Sequence, residues 1–332
     1  MAKHHTVSLG EETFTLQSGQ ILLDGAIAAG VGIPHDCRAG RCGSCMTEIK
    51  AGITLGGETR QLGTVYACQT RVFSDLKIAI EAVPAVEYVR ASISALRDLT
   101  SDVVELEITP SAPFSYLPGQ YCRFTFNGFP TRCFSPTAAL DGSPSDGKFH
   151  LQIKRVRQGR ISTNLGEKIK VGHSLTIEGP FGHGFLRPGL DKRLVLVAGG
   201  TGFAPIWSVA EAALRENPHR SMLIVVGVRK LGSFYMGAAL DIASKLPNVE
   251  IIATAEEHQT TFHAVQFGTP AEHVPSLSGA DVVYAAGAPV MVDAVGVMAE
   301  AAGAKFYCDP FESTASETGD WITRAMTWLR TG

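Results

Sequence analysis

Asp36-Cys37-Arg38-Ala39-Gly40-Arg41-Cys42-Gly43-Ser44-Cys45 places three cysteines in ten residues, and a fourth, Cys68, follows 23 positions later. Cysteine is roughly 2% of the chain, so partners at +5 and +8 from one cysteine arise by chance about four times in ten thousand. A [2Fe–2S] cluster needs four thiolates around two irons; a short loop can supply three and a distant segment the fourth. Gly40 and Gly43 permit turns that a Cβ would resist. A loop wound this way exposes amides that can donate to sulfur and stabilise the charge added on reduction. Four cysteines also bind zinc, but zinc ribbons usually carry two Cys-x2-Cys pairs, and one is present here. Cys37, Cys42, Cys45 and Cys68 are therefore the expected metal ligands. Cys122, Cys133 and Cys308 are expected to be free, buried thiols.

The rest of the composition narrows the field. The 332 residues allow two or three domains. With 45% apolar and 18% charged residues, the chain can bury sizeable cores and is not a disordered tail. A net charge of −3 argues against a polyanion binder. No apolar run reaches the roughly 18 residues a membrane span requires. Met1 to Thr6 lacks an apolar signal segment, which makes the cytoplasm the expected location. An odd cysteine count without an export signal excludes a disulfide framework. The ten histidines show no metal spacing and are given no catalytic role.

Around the cysteine loop, Thr6 to Leu9 and Phe14 to Leu16 read as a hairpin with Gly10 in the turn. Ile21 to Ala29 reads as a helix stopped by Gly30 and Gly32, and Asp75 to Ile80 as a closing strand. Over residues 1 to about 84 the chain resembles plant-type ferredoxins, which implies a β-grasp fold around a [2Fe–2S] cluster.

After Val83-Pro84 the pattern changes to short runs split by turns: Val86 to Ser94, Val103 to Ile108, Gln120 to Phe126, Arg132 to Ser135, Phe149 to Lys154 and Ser174 to Glu178. Six short strands with glycine- and proline-bearing turns predict a small antiparallel barrel. Arg132-Cys133-Phe134-Ser135 resembles the R-x-Y-S flavin motif of the ferredoxin-NADP reductase superfamily. Flavin chemistry asks for a phosphate-binding cation, an aromatic face and a hydroxyl near the reactive edge. Arg132, Phe134 and Ser135 supply them in order. Phenylalanine replaces tyrosine here, which keeps the stacking surface and removes the phenolic hydrogen bond. The resemblance extends to Ile153 and Lys154 beside the ribityl chain. It also covers Gly159, Arg160, Ser162 and Thr163, where a helix start would turn its amides toward the pyrophosphate. Glu178 to Gly182 matches the turn that closes this domain in the superfamily. It implies FAD, with FMN the alternative because the barrel motif contacts only the portion common to both.

Arg193 to Ala198 is an apolar run suited to a strand buried on both faces of a parallel sheet. Gly199-Gly200-Thr201-Gly202-Phe203-Ala204-Pro205 follows, then helical spacing from Ile206 to Leu214. Strand, glycine turn and helix set bare amides and a positive helix end against a pyrophosphate. The G-x-G-x-x-G fingerprint is absent. Gly200, Thr201, Gly202, Ala204 and Pro205 instead match the superfamily's GGTGxxP segment. Further strands are expected at Met222 to Val226, Glu250 to Ala253 and Asp281 to Ala285, with helical connections, as in a doubly wound sheet. Arg229 is the candidate contact to the adenosine ribose. No acidic residue is expected at that strand end to take a ribose 2′-OH, and Lys230 and Ser233 could accept a 2′-phosphate, so NADPH is possible, with NADH preferred on resemblance. Ala286-Gly287-Ala288-Pro289-Val290-Met291 matches the CGxPxM segment, with alanine at the cysteine position; Gly287, Pro289 and Met291 are the candidate contacts. Phe311 corresponds to the terminal aromatic that covers the flavin, and with Ser135 it is the expected catalytic pair.

Three motif sets in this order resemble the reductase components of multicomponent bacterial oxygenases, across residues 1 to about 311. The expected architecture is multidomain α+β and α/β: 1–84 a ferredoxin domain, 85–188 a six-stranded flavin barrel, 189–311 a nicotinamide domain, and 312–332 an extension read as linker plus helix. The resemblance implies electron flow from NADH through FAD and the cluster to an oxygenase component or small ferredoxin. The chain is expected to be a monomer, with the extension packed on its own chain or serving as a docking or dimer element. Arg38 and Arg41 are expected to form a basic rim facing an acidic acceptor patch. A diaphorase-like reductase of another acceptor such as a cytochrome, or a redox-sensing subunit, are the alternatives.

Overall fold

The computed structural model describes residues 3–189, 191–257 and 264–311. The apolar pattern of the extension, Trp321 to Leu329, lies outside them.

The N-terminal unit begins with the hairpin β1 (His4–Leu9) and β2 (Glu12–Gln17), in which every second side chain turns inward. Helix α1 (Leu22–Ala28) buries Leu22, Leu23 and Ala26 against it. The cysteine loop runs from there to β3 (Met46–Ala51), followed by β4 (Thr54–Leu55), β5 (Thr64–Tyr66), β6 (Arg71–Val72) and β7 (Leu76–Ala79). The main sheet is ordered β2-β1-β7-β3-β5, with β7 parallel to β1, and β4 pairs with β6 to one side. This mixed sheet crossed by one helix is a β-grasp. Its core joins Val7, Phe14, Leu16 and Ile78 to Cys45 and Cys68.

The second unit contains β8 (Glu87–Asp98), β9 (Val103–Pro110), β10 (Tyr121–Phe126), β11 (Arg132–Phe134), β12 (Phe149–Lys154) and β13 (Ser174–Phe181). They form one antiparallel sheet in the order β11-β10-β13-β8-β9-β12. A bridge between Thr137 and His150 brings the chain after β11 onto β12 and nearly closes the barrel. Alternation on β10 decides what faces where: Cys122, Phe124 and Phe126 fill the core, while Arg123 and Thr125 face outward.

The third unit is wholly parallel: β14 (Leu194–Gly199), α2 (Phe203–Glu216), β15 (Met222–Lys230), α3 (Gly237–Ser244), β16 (Val249–Glu257), β17 (Val265–Phe267), β18 (Val282–Gly287), α4 (Pro289–Ala301) and β19 (Lys305–Pro310). The order is β17-β16-β15-β14-β18-β19, so successive strands run outward from β14 and the direction reverses at β18. Ligands of such sheets bind in the crevice outside the strand ends at this reversal. The glycine turn after β14 and the segment after β18 both open there. Burial on both faces explains the unbroken apolar run of β14. Strands β17 and β19 were not read from sequence. Among the described residues no helix is long and apolar enough to cross a membrane.

The units interlock. Arg60 reaches Asp293 and Glu300 of α4 at 3.4 and 3.1 Å. Glu81 pairs with Arg187 at 2.6 Å and His183 at 2.8 Å. Arg187 is itself buried, its guanidinium 3.7 Å from the rings of both Phe185 and Tyr307.

Candidate functional site: a chain of three centres

The four cysteines come together two by two. Cys37 meets Cys42, and Cys45 meets Cys68. Among the described residues no three metal-ligating side chains converge on one point, as a single ion would require. Three thiols on one loop with a fourth from a distant segment beside them fit the four-thiolate demand of a [2Fe–2S] cluster. The amides of Ala39 and Cys42 donate to Cys37 Sγ at 3.3 and 3.4 Å. The Cys42 thiol and, against burial, these amides hold Cys37 down to about 5. At Cys37 the loop backbone is thus wound to stabilise negative sulfur, whereas burial pushes the Cys45 thiol up to about 12. Gly43 has φ of +73°, and a Cβ there would lie 2.7 Å from His183 Cβ, so only glycine allows this approach to the barrel turn. Cys37 is exposed, whereas Cys45 and Cys68 are buried.

The expected basic rim is weaker than its sequence suggests. Arg38 is ion-paired with Asp24, and Arg41 lines an interdomain cleft of about 360 Å³ shared with Tyr307 and Cys308. Cys133 is exposed and Cys308 half-buried, so of the remaining thiols Cys122 alone is fully buried.

On the barrel, Arg132 is half-buried, and Phe134 packs its ring 6.0 Å from Phe124. Ser135 is buried and donates to Asp309 Oδ2 at 3.1 Å. Burial pushes the Asp309 carboxyl up to about 6, with the Ser135 bond opposing. Asp309 was not singled out from sequence; it lies 174 positions from its partner. An aromatic face, a half-buried cation and a hydroxyl–carboxyl pair at one strand end fit a flavin ring and its phosphate. Ile153 is a core residue, and Lys154 projects outward 4.0 Å from Asp102.

The helix expected at Ser162 does not form. Residues Ser162–Asn164 make a single 3₁₀ turn. Ser162 Oγ accepts from the Val156 amide at 3.0 Å, and Thr163 Oγ1 donates to the Gly159 carbonyl at 2.6 Å. The amides of Thr163 and Asn164 are taken by Gly159 and Ile161. Ser and Thr hydroxyls compete locally with helix formation, and here they win. Gly159 belongs to this tight turn, and Arg160 is exposed.

At the sheet reversal, Gly200–Gly202 form a 3₁₀ turn capping α2, with Ala204 and Pro205 buried in its first turn. Thr201 is half-buried. A Cβ on Gly202 would lie 2.2 Å from the Ala286 carbonyl oxygen, so the two strand ends touch through bare backbone. Gly287 accepts from the Phe311 amide at 2.7 Å, Pro289 opens α4, and Met291 packs toward Gly199. This narrow, glycine-lined crevice fits a dinucleotide laid across the switch point.

Arg229 is exposed, but the parallel register of β15 and β16 sets Glu257 beside it at 2.9 Å. An acidic residue therefore does occupy this strand end, supplied by the neighbouring strand. Lys230 also faces Glu257 at 3.9 Å, and Ser233 Oγ donates to Asp102 at 2.9 Å, so neither is a ready phosphate site.

Fold and site together define an iron–sulfur flavoprotein reductase with its own nicotinamide domain. Comparison with known proteins agrees. Residues 6–73 match the 2Fe-2S iron-sulfur cluster binding domain, 91–185 the oxidoreductase FAD-binding domain and 196–296 the oxidoreductase NAD-binding domain. The chain is 30% identical over 298 residues to the ferredoxin–NAD(P)(+) reductase component of a Ralstonia naphthalene 1,2-dioxygenase/salicylate 5-hydroxylase system, covering 85% of this chain and 89% of that one. It is 29% identical, with the same coverage, to a Yersinia pestis CDP-6-deoxy-L-threo-D-glycero-4-hexulose-3-dehydrase reductase. A solved ferredoxin reductase of carbazole 1,9a-dioxygenase is 27% identical, with a TM-score of 0.65 over 94% of this chain and 99% of that one. The chain belongs to this family of ferredoxin–NAD(P)+ reductases. It is an NAD(P)H-dependent oxidoreductase using FAD and a [2Fe–2S] cluster.

Proposed function

We propose that the chain is the reductase component of a multicomponent oxygenase, with NADH as donor and an oxygenase component or its small ferredoxin as acceptor. When bound, the flavin supplies the step from paired to single electrons that links hydride chemistry to a one-electron iron centre. In this reading Cys37 and Cys42 hold one iron, and Cys45 and Cys68 the other. Arg132 and Phe134 bind and stack the flavin, and Ser135 with Asp309 holds a proton at the ring edge. Gly200, Thr201, Gly202, Ala204 and Pro205 cradle the pyrophosphate, while Gly287, Pro289 and Met291 shape the nicotinamide pocket under Phe311. Ile153 and Lys154 on β12, with the turn of Gly159, Arg160, Ser162 and Thr163, flank the flavin's ribityl chain and phosphates without a helix end. Residues 1–84, 85–188 and 189–311 carry the three tasks.

One observation carries the proposal: the cysteine loop faces the flavin barrel on one side and solvent, at Cys37, on the other. NADH is favoured because Glu257 stands at this strand end, where a carboxylate can take a ribose 2′-OH, and it engages both Arg229 and Lys230. The acceptor would dock over the exposed Cys37 edge, with Arg38 and Arg41 setting its approach. The seven cysteines, none in a disulfide, suit a cytoplasmic enzyme. A non-oxygenase acceptor is the second reading, favoured by the Yersinia relative.

The test is anaerobic stopped-flow on the purified, coloured protein. NADH should bleach the flavin first and the iron–sulfur absorbance second, with NADPH slower. Arg38→Glu combined with Arg41→Glu should slow delivery to the acceptor and flatten its salt dependence. A protein without iron after anaerobic reconstitution, or one whose cluster stays oxidised under NADH, sinks the proposal.

A further inference from the structure

We infer that Asp36 is a positioning residue that seats the iron–sulfur loop on the flavin barrel and so sets the geometry of electron transfer between them. The inference rests on the cysteine assignment above. Asp36 directly precedes Cys37, and its side chain is only 6% exposed. Its carboxylate takes two donors from one strand of another unit: the Tyr121 hydroxyl and the Arg123 guanidinium, both on β10. Arg123 is held in turn by Glu178 on β13 at 3.2 Å and by the Phe181 ring, 5.0 Å from its centroid. Tyr121 is buried, and its ring lies 5.8 Å from that of Phe181.

Register gives this clamp its meaning. On β10, Cys122 is paired with Phe134 and Arg123 with Cys133 of β11. The strand that holds the cysteine loop is therefore bonded to the strand that carries Arg132 and Phe134. Asp36 is thus bonded to the strand next to the one that carries the proposed stacking residue. The other end of the loop is tied to the same barrel. The Gly182 amide donates to Ser44 Oγ at 2.8 Å, next to Cys45, and Gly43 lies against His183. Both flanks of the loop are thus fixed to elements that border the flavin site.

A carboxylate this buried requires partners to offset its lost hydration, and both partners lie across the unit boundary. Within the ferredoxin unit alone it would have neither, so the docked arrangement is what satisfies it. Electron transfer falls steeply with separation, so a loop that shifts or loosens on the barrel slows it. A second ion pair on this loop, Arg38 with Asp24, lies at its exposed edge and stays within the ferredoxin unit. It provides the control.

The experiment uses the full-length enzyme loaded with FAD and iron. Asp36→Asn should leave flavin reduction by NADH within twofold of wild type and slow the following cluster reduction about tenfold or more. Tyr121→Phe, which leaves the loop sequence intact, should slow that second phase in the same direction by less. Asp24→Asn should leave both phases unchanged. Hydrogen exchange supplies a readout independent of turnover: amides of residues 37–45 and 121–124 should exchange faster in Asp36→Asn than in Asp24→Asn. The paramagnetic resonance of the chemically reduced cluster should match wild type, showing an intact cluster in a changed position. Wild-type cluster reduction in Asp36→Asn and Tyr121→Phe overturns the inference, as does equal slowing by Asp24→Asn. If Asp36→Asn loses iron, Tyr121→Phe decides alone. Wild-type enzyme whose cluster ignores NADH would instead overturn the functional proposal.

Discussion

Asp309→Asn should make the protein more stable at pH 7, and the gain should vanish in acid. The wild-type carboxyl is pushed from 3.8 to about 6 by burial, with the Ser135 hydroxyl at 3.1 Å opposing the shift. That displacement corresponds to about 3 kcal/mol between the two protonation states, an upper bound because the residue keeps some contact with solvent. The folded pKa lies above the unfolded one, so the folded state binds more protons between pH 4 and 6. The stabilising contribution is complete below about pH 4 and is lost as pH rises through about 6. Roughly 1 kcal/mol of it disappears between pH 5 and 7. Asparagine is neutral throughout and its carbonyl can still accept the Ser135 hydroxyl. Urea unfolding followed by the fluorescence of Trp207, which is buried in the same unit as Asp309, measures the difference. The variant's midpoint should exceed wild type at pH 7 and converge with it near pH 4. A variant less stable than wild type at pH 7, or a gap that stays constant with pH, would refute a buried, reluctant carboxylate at this position.

Gly202→Ala places a methyl 2.2 Å from the Ala286 carbonyl oxygen and 2.4 Å from its carbon, atoms that cannot rotate away. It should cost about 1–3 kcal/mol, lower the melting temperature and raise the KM for NADH; an unchanged melting point and KM would contradict the close approach. Against desolvation, hydrogen bonds from His183 and Arg187 hold Glu81 down to about 2. Its contribution is present above about pH 4.5 and is lost as pH falls toward 2, so Glu81→Gln should unfold at lower temperature at pH 7 and show less acid sensitivity by calorimetry.

Much of the fold was legible because its signals are local. Four thiols at fixed spacing answer one chemical need, and the run Leu194 to Ala198 is apolar because β14 is covered on both faces. Six short strands fell close to their observed limits because turns with glycine and proline cut them. What escaped was made by register and docking. Glu257 meets Arg229 because β15 and β16 pair in parallel, 28 positions apart in the chain. Asp36 finds Tyr121 and Arg123 across 85 and 87 positions. Asp309 sits on β19, whose Lys305-Phe306-Tyr307-Cys308-Asp309-Pro310 shows neither alternation nor an unbroken apolar run. Ser162 failed in another way: its hydroxyl had a nearer use at Val156 than as the opening of a helix, and local competition of this kind leaves no mark on the pattern of residue types.

The cysteine loop answers two demands that pull against each other. Its inward side must hold a fixed place on the barrel, because internal transfer depends on distance. Its outward side must stay open to an acceptor that comes and goes. The residues divide accordingly. Asp36 and Ser44 bond to the barrel, and Cys45 and Cys68 are buried. Cys37, Arg38 and Ala39 are exposed, and Arg38 pairs with Asp24 of its own unit. With the acceptor docked at this edge as proposed, substitutions there would alter partner choice without loosening the hold of Asp36 and Ser44 on the barrel.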